Sequence, residues 1–378
     1  MCLFPSLNGA VYAYDANTLS IPPIWARDET QAVGMQGLKH NCDATVAQQF
    51  YPGTSVTNQE PYLDFAGVIS TPVIEVNQAS GATAIFVVNQ CERTSDSSVR
   101  WYLTALNLSG GATLGTAGPT EITYSAVAAN QYGPNMPFFA ANQLQRPALL
   151  ITAGQVGGTG QVYRTLVAQF GTATNETGNN NANSGYQGWM FAYDVTNSAS
   201  VVPQSNSLPY TTQCIYPPNS GNSLPCSTQL NAGPDAQIPN PCGDGGGVWM
   251  SNRGAAANTS NQIFSAAANG GFNYCQYTGV TGSCQNYCTG PPTAGHGIQD
   301  FVDFGEATLR MSLQNLWAQT SGFWPDDYFV PYSIPAGVSN PNNYSSYFQL
   351  LNANDWDMGV SGELLFDDNT IRAQTPRR

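Results

Sequence analysis

Val11-Tyr-Ala-Tyr-Asp-Ala-Asn-Thr18 decides the reading of the fold, because the chain repeats it. The clearest second copy is Met190-Phe-Ala-Tyr-Asp-Val-Thr-Asn197. A third is Tyr102-Leu-Thr-Ala-Leu-Asn-Leu-Ser109, and a more diverged fourth is Ala307-Thr-Leu-Arg-Met-Ser-Leu313. Each is a short strand whose alternate side chains pack between sheets, and it runs into a turn closed by Asp, Asn or Ser. With Asp15, Asn107, Asp194 and Ser312 as equivalents, the spacings are 92, 87 and 118 residues.

Two further strand-like runs precede each later copy. They are Val68–Val76 and Thr83–Asn89, then Pro147–Thr152 and Thr165–Phe170, then Gly247–Ser251 and Gln262–Ala266. A weaker outer strand follows, at Pro119–Tyr124, Ser200–Gln204 or Asp327–Tyr332. Leu309–Ala318 reads as strand plus turn because of its place in the repeat. Three or four short strands per unit predict an all-β propeller of four-stranded antiparallel blades in a single domain. A β-sandwich would not repeat one turn motif per unit. The expected units are 1–61 with 359–378, 62–143, 144–244 and 245–358. Long Gly/Asn/Pro-rich insertions account for units longer than the roughly 40–50 residues of a plain blade. Either Val360–Phe366 pairs with Gly9–Asp15 and closes a ring of about four units, or the chain is a fragment of a larger ring.

Composition narrows the function. The 378 residues carry 24 acidic against 11 basic side chains, a net charge of −13, with Lys39 the sole lysine. Such a chain cannot neutralise a row of phosphates, which excludes a nucleic-acid binder. No apolar run approaches the roughly 20 residues of a membrane span. The 42% apolar content fills a core, which argues against disorder. Nine cysteines at 2, 42, 91, 214, 226, 242, 275, 284 and 288 lie mostly in loop-like stretches. They predict up to four disulfides of unassigned connectivity and an extracytoplasmic, secreted protein. Met1–Leu7 has no basic n-region, so a leader is expected upstream or the first strand completes a distant element. Four N-x-S/T sequons, at Asn107, Asn175, Asn258 and Asn343, are read as chance in so Asn/Ser/Thr-rich a chain.

The run Val11–Trp25 resembles the repeat of pyrroloquinoline-quinone-type (PQQ-like) β-propellers, in which a Trp following the turn docks between blades. Gly67–Glu75 resembles that family's blade-opening strand. Gln145–Leu150, Tyr186–Asp194, Gly245–Ser251, Asp327–Tyr332 and Asn354–Gly362 follow in an order similar to secreted bacterial quinoprotein-like propellers. The resemblance implies a propeller fold and, for its enzymes, a quinone stacked under an adjacent Cys-Cys disulfide with calcium held by Glu, Asn and Asp. This chain has no adjacent cysteines, and Gln187 stands where relatives often place a His. No cofactor is therefore expected, with PQQ and Ca²⁺ as the alternative.

Candidate ligand-binding residues are Arg146, Gln187, Trp249, Arg253, His296 and Glu306. Arg146 and Arg253 stand out because cations are scarce; each suits an anionic ligand or a charge-assisted bond to carbonyls or to an acid such as Glu306. The glycines flanking His296 would let its backbone approach a ligand. Asp355 and Asp357, two apart, would share a strand face and offer oxygens to Ca²⁺. Asp300, Asp303 and Glu306, or Asp355 with Asp357, are the carboxylates a hydrolase or lyase would need. Trp25, Trp189 and Trp249 are expected to pack between blades. The sequence thus predicts a non-catalytic scaffold for protein partners, self-assembly or carbohydrate. The alternatives are a PQQ- and Ca²⁺-dependent alcohol or sugar dehydrogenase, and a carbohydrate-active hydrolase or lyase.

Overall fold

The structure is a computed structural model. It describes residues 1–5, 10–18, 23–28, 68–76, 83–93, 98–114, 119–125, 138, 140, 143–155, 160, 162–172, 188–197, 202–203, 210–211, 247–250, 253–268, 307–313 and 326–329. Every described element is a β-strand, and the strands form four antiparallel sheets, none of them closed.

The first sheet runs β1 (Cys2–Pro5), β2 (Ala10–Tyr14), β3 (Trp25–Asp28). The second runs β4 (Val73–Val76), β5 (Thr83–Arg93), β6 (Ser98–Asn107), β7 (Thr120–Ile122). In the third, β10 (Val162–Thr172) pairs with β8 (Gln143–Leu144), β9 (Leu150–Gln155) and β11 (Trp189–Asp194). There β11 also carries β12 (Val202–Pro203) and β13 (Tyr210–Thr211). The fourth runs β14 (Ala256–Ala257), β15 (Gln262–Ala266), β16 (Thr308–Ser312), β17 (Asp327–Phe329).

The repeat is visible in the register. Ala84 faces Asn107, Thr165 faces Asp194 and Gln262 faces Ser312. Beyond each pair the same backbone bond recurs: Leu108, Val195 and Leu313 donate their N–H to the carbonyls of Thr83, Arg164 and Asn261. The turn chemistry recurs in three units. Asp15, Asn107 and Asp194 each accept, on Oδ1, the N–H two residues on, at 2.8, 2.8 and 2.9 Å. This is the Asx turn.

Alternation along β5 explains how the sheets stack. Ala84, Phe86 and Val88 pack towards the third sheet, among Leu166, Phe170, Trp189 and Phe191. Ile85 and Val87 pack the other way, with Val11, Ala13 and Trp25 of the first sheet. A strand buried on both faces must be apolar on both, which is why Ala84–Val88 reads as an unbroken run. Phe138 sits edge-on to Phe170, Trp189 and Phe191 at centroid distances of 5.0–5.5 Å. Each such buried side chain contributes about 1.5–3 kcal/mol by leaving water.

Trp25 docks between sheets, as the Val11–Trp25 motif implies. Its Nε1–H donates to the Leu108 carbonyl at 2.9 Å. Its ring lies on Gly111, where a Cβ would sit 2.6 Å from the indole. Gly111 also has φ +69°, so only glycine fits both the turn and the indole.

Two expectations change. Gly247–Ser251 is not read as a strand: its described part, Gly247–Met250, is irregular, and the fourth sheet opens instead with β14 at its edge. The Trp249 ring lies against Gly247 and Gly171, and Met250 takes φ +39°, which a ladder cannot accommodate. Second, β2 has β1 on one edge and β3 on the other, so no edge of Ala10–Tyr14 is left for a closing strand. Val360–Phe366 itself lies outside the described residues.

Candidate functional site

Three edge strands, β4 of the second sheet, β9 of the third and β14 of the fourth, lie side by side and are called the inner strands below. Their lead-in segments are tied by backbone bonds. Leu149 N–H donates to the Thr71 carbonyl at 3.1 Å and Ala148 N–H to the Arg253 carbonyl at 2.9 Å. Ala148 and Gly254 form a parallel bridge. The approach is close enough that a Cβ on Gly254 would sit 2.6 Å from the Ala148 carbonyl oxygen.

Three of the sequence candidates come together at this end. Arg146 is exposed, and its guanidinium carbon lies 5.6 Å from the centre of the Trp249 ring, a cation–π distance. Trp249 is half-buried, wedged against Gly171 and Gly247. Arg253 is exposed on the neighbouring segment, and its side chain has no partner among the described residues. Its N–H donates to the Met250 carbonyl at 2.7 Å. The strained φ of Met250 is thus held by a bond at one end and by the wedged indole at the other. Beneath, Gln169 Nε2 donates to Ser265 Oγ, whose hydroxyl approaches Met250 Sδ at 3.7 Å. The patch offers two positive charges and one aromatic face. That chemistry takes a carboxylate-bearing or otherwise anionic surface, with the indole as an apolar rest.

Gln187, His296, Glu306, Asp355 and Asp357 lie outside the described residues, as do Asp300, Asp303 and His40. So do Cys42, Cys214, Cys226, Cys242, Cys275, Cys284 and Cys288, and the sequons at Asn175 and Asn343. Among the described residues no group of three or more His, Cys, Asp or Glu side chains is placed to hold a metal ion. No helix among them is long and apolar enough to cross a membrane.

The two described sequons are structural. Asn107 Oδ1 accepts both the N–H and the hydroxyl of Ser109. Asn258 Oδ1 accepts the N–H groups of Ser260 and Gln262, and its Nδ2 donates to Gln262 Oε1 at 2.8 Å. Each amide closes its own turn.

At the far end of the same inner strands lies a cleft of about 420 Å³, which sequence reading missed. It is lined from β4 by Glu75, from β9 by Leu150–Ala153, from β10 by Arg164, from β14 by Ala257, and from the β14–β15 turn by Asn258, Thr259 and Asn261. Arg164 reaches across from the third sheet to Glu75 of the second, donating from Nε and Nη2 to Glu75 Oε1. Asn261, with φ +60°, rests its amide on Gly154, where a Cβ would sit 2.5 Å from the Asn261 side chain.

No protein-family model matches the chain, and no curated protein or solved structure matches it either.

Proposed function

We propose that the chain is a non-catalytic, extracytoplasmic binding and assembly scaffold built as a PQQ-like β-propeller. Stacked sheets with repeating register and side-by-side inner strands support the propeller. Nine cysteines in a chain of this composition support a disulfide-stapled, secreted protein. The observation that carries the function is the Arg146–Trp249–Arg253 patch. A chain of net charge −13 with only 11 cationic side chains exposes two of them on adjacent lead-in segments, beside an indole. Such a patch fits an acidic protein surface, including that of a second copy of this chain, or an acidic glycan.

The test is light scattering of the purified protein at low and high salt, wild type beside the double variant R146E/R253E, together with a glycan array and partner capture. Salt-sensitive assembly or binding that the double variant loses is the expected result. A strict monomer that binds neither glycan nor protein overturns the reading. Dye reduction with alcohols or sugars after addition of PQQ and Ca²⁺ would replace it with the dehydrogenase.

A further inference from the structure

We infer that the cleft at the far end of the inner strands is a binding site for a neutral saccharide, recognised through adjacent hydroxyls. The inference deepens the scaffold reading and rests on it, naming a ligand class and a place distinct from the Arg146–Trp249–Arg253 patch.

The cleft is built from equivalent positions of the repeat. Glu75 pairs with Ala84, Thr152 pairs with Thr165, and Asn258 N–H bonds the carbonyl of Gln262. Since Ala84, Thr165 and Gln262 are the same position, so are Glu75, Thr152 and Asn258. Arg164 and Asn261, the residues immediately before Thr165 and Gln262, are likewise equivalent. Each reaches the sheet before its own: Arg164 to Glu75, Asn261 to Gly154. Strand register therefore stacks two rows of polar side chains around one cavity.

Chemistry selects the ligand. Arg164 spends Nε and Nη2 on a single oxygen of Glu75, leaving Nη1 and Glu75 Oε2 uncommitted among the described residues. A donor and an acceptor thus stand side by side with no net charge between them. The Asn261 amide and the Thr152 hydroxyl, also without a partner among the described residues, add two more groups that can both donate and accept. Neighbouring sugar hydroxyls, each a donor and an acceptor, match that set. A carboxylate would meet Glu75, and a cation would meet Arg164. The volume falls within the roughly 300–1,000 Å³ of small-molecule sites. The left-handed backbone of Asn261 and its seat on Gly154 hold the amide in place before a ligand arrives.

The experiment is saturation-transfer NMR and calorimetry on the full chain, using methyl glucoside, methyl galactoside, N-acetylglucosamine and their disaccharides, with glucuronate as the charged control. Binding of at least one neutral sugar, and weaker or no binding of glucuronate, is expected. N261G keeps the backbone and removes the amide; T152V keeps the shape and removes the hydroxyl. Each should weaken binding tenfold or more. A153W, at an exposed position, fills the cleft and should abolish binding with an unchanged melting temperature. No binding by any neutral sugar, or binding indifferent to A153W and N261G, overturns the inference. In that event salt-sensitive assembly lost in R146E/R253E still upholds the scaffold reading. Loss of that assembly in the wild type as well removes both.

Discussion

The two ends of the inner strands are built differently. At the lead-in end, backbone meets backbone: Leu149 on Thr71, Ala148 on Arg253, Gly254 against the Ala148 carbonyl. At the cleft end, side chains span the gap: Arg164 to Glu75, Asn261 to Gly154. A main-chain contact has no room to adjust, so change there costs stability. A side-chain contact can be altered while the sheets stay in place, so change there alters recognition first.

The sharpest way to break this contrast is Gly254→Val. Its new side chain meets a backbone carbonyl, and overpacking of this kind should cost about 3 kcal/mol, read by denaturant melts. Glu75→Ala should cost less, about 2 kcal/mol. It strands a guanidinium that is 28% exposed and so partly hydrated, where a fully buried one would cost more. A double-mutant cycle with Arg164→Ala should recover most of that loss. If Glu75→Ala costs more than Gly254→Val, the contrast fails.

The core between the second and third sheets supplies a pH test. Tyr193 is buried, and desolvation pushes its phenol well above the ordinary value. Below a pH of about 10 both folded and unfolded chains keep the proton, and the phenol adds no pH dependence. Above that, the unfolded chain releases it and the folded chain does not, so stability falls by about 1.4 kcal/mol per pH unit. Tyr193→Phe should flatten that slope in melts taken across the alkaline range. Trp25→Phe, which removes the bond to the Leu108 carbonyl and keeps most of the ring, should cost about 1 kcal/mol. Smallest of all, Arg146→Ala should cost about 0.5 kcal/mol of stability, because its cation–π contact is exposed. Its larger effect should fall on salt-sensitive assembly.

Much of the sheet structure was legible in the sequence, because it depends on short-range pattern. Gln262–Ala266 is the strand β15 as read, and Thr83–Asn89 and Thr165–Phe170 lie inside β5 and β10. The Asx turns at Asp15, Asn107 and Asp194 and the docking of Trp25 were also visible, each within one contiguous motif. Val68–Val76 shrank to Val73–Val76, since Pro72 has no N–H for a ladder. Gly247–Ser251 misled for a tertiary reason: an alternating apolar run says nothing of an indole seated on Gly171, far back in the chain. The cleft was hidden for a similar reason. Glu75 and Thr152 each end an apolar run, and nothing local says that two sheets later align them with Asn258.

The recurring bond from Leu108, Val195 and Leu313 to the carbonyls of Thr83, Arg164 and Asn261 carries one more implication. The main chain at the accepting position gives the same bond whether the residue is a hydroxyl, a guanidinium or an amide. Architecture and chemistry are thereby uncoupled at a single site in three of the four sheets. Such a position works as one mount carrying different heads: Arg164 brings a guanidinium to Glu75, and Asn261, on its left-handed backbone, brings an amide to Gly154, while the sheets keep the same register. Selectivity can then be rewritten one unit at a time, without renegotiating the fold.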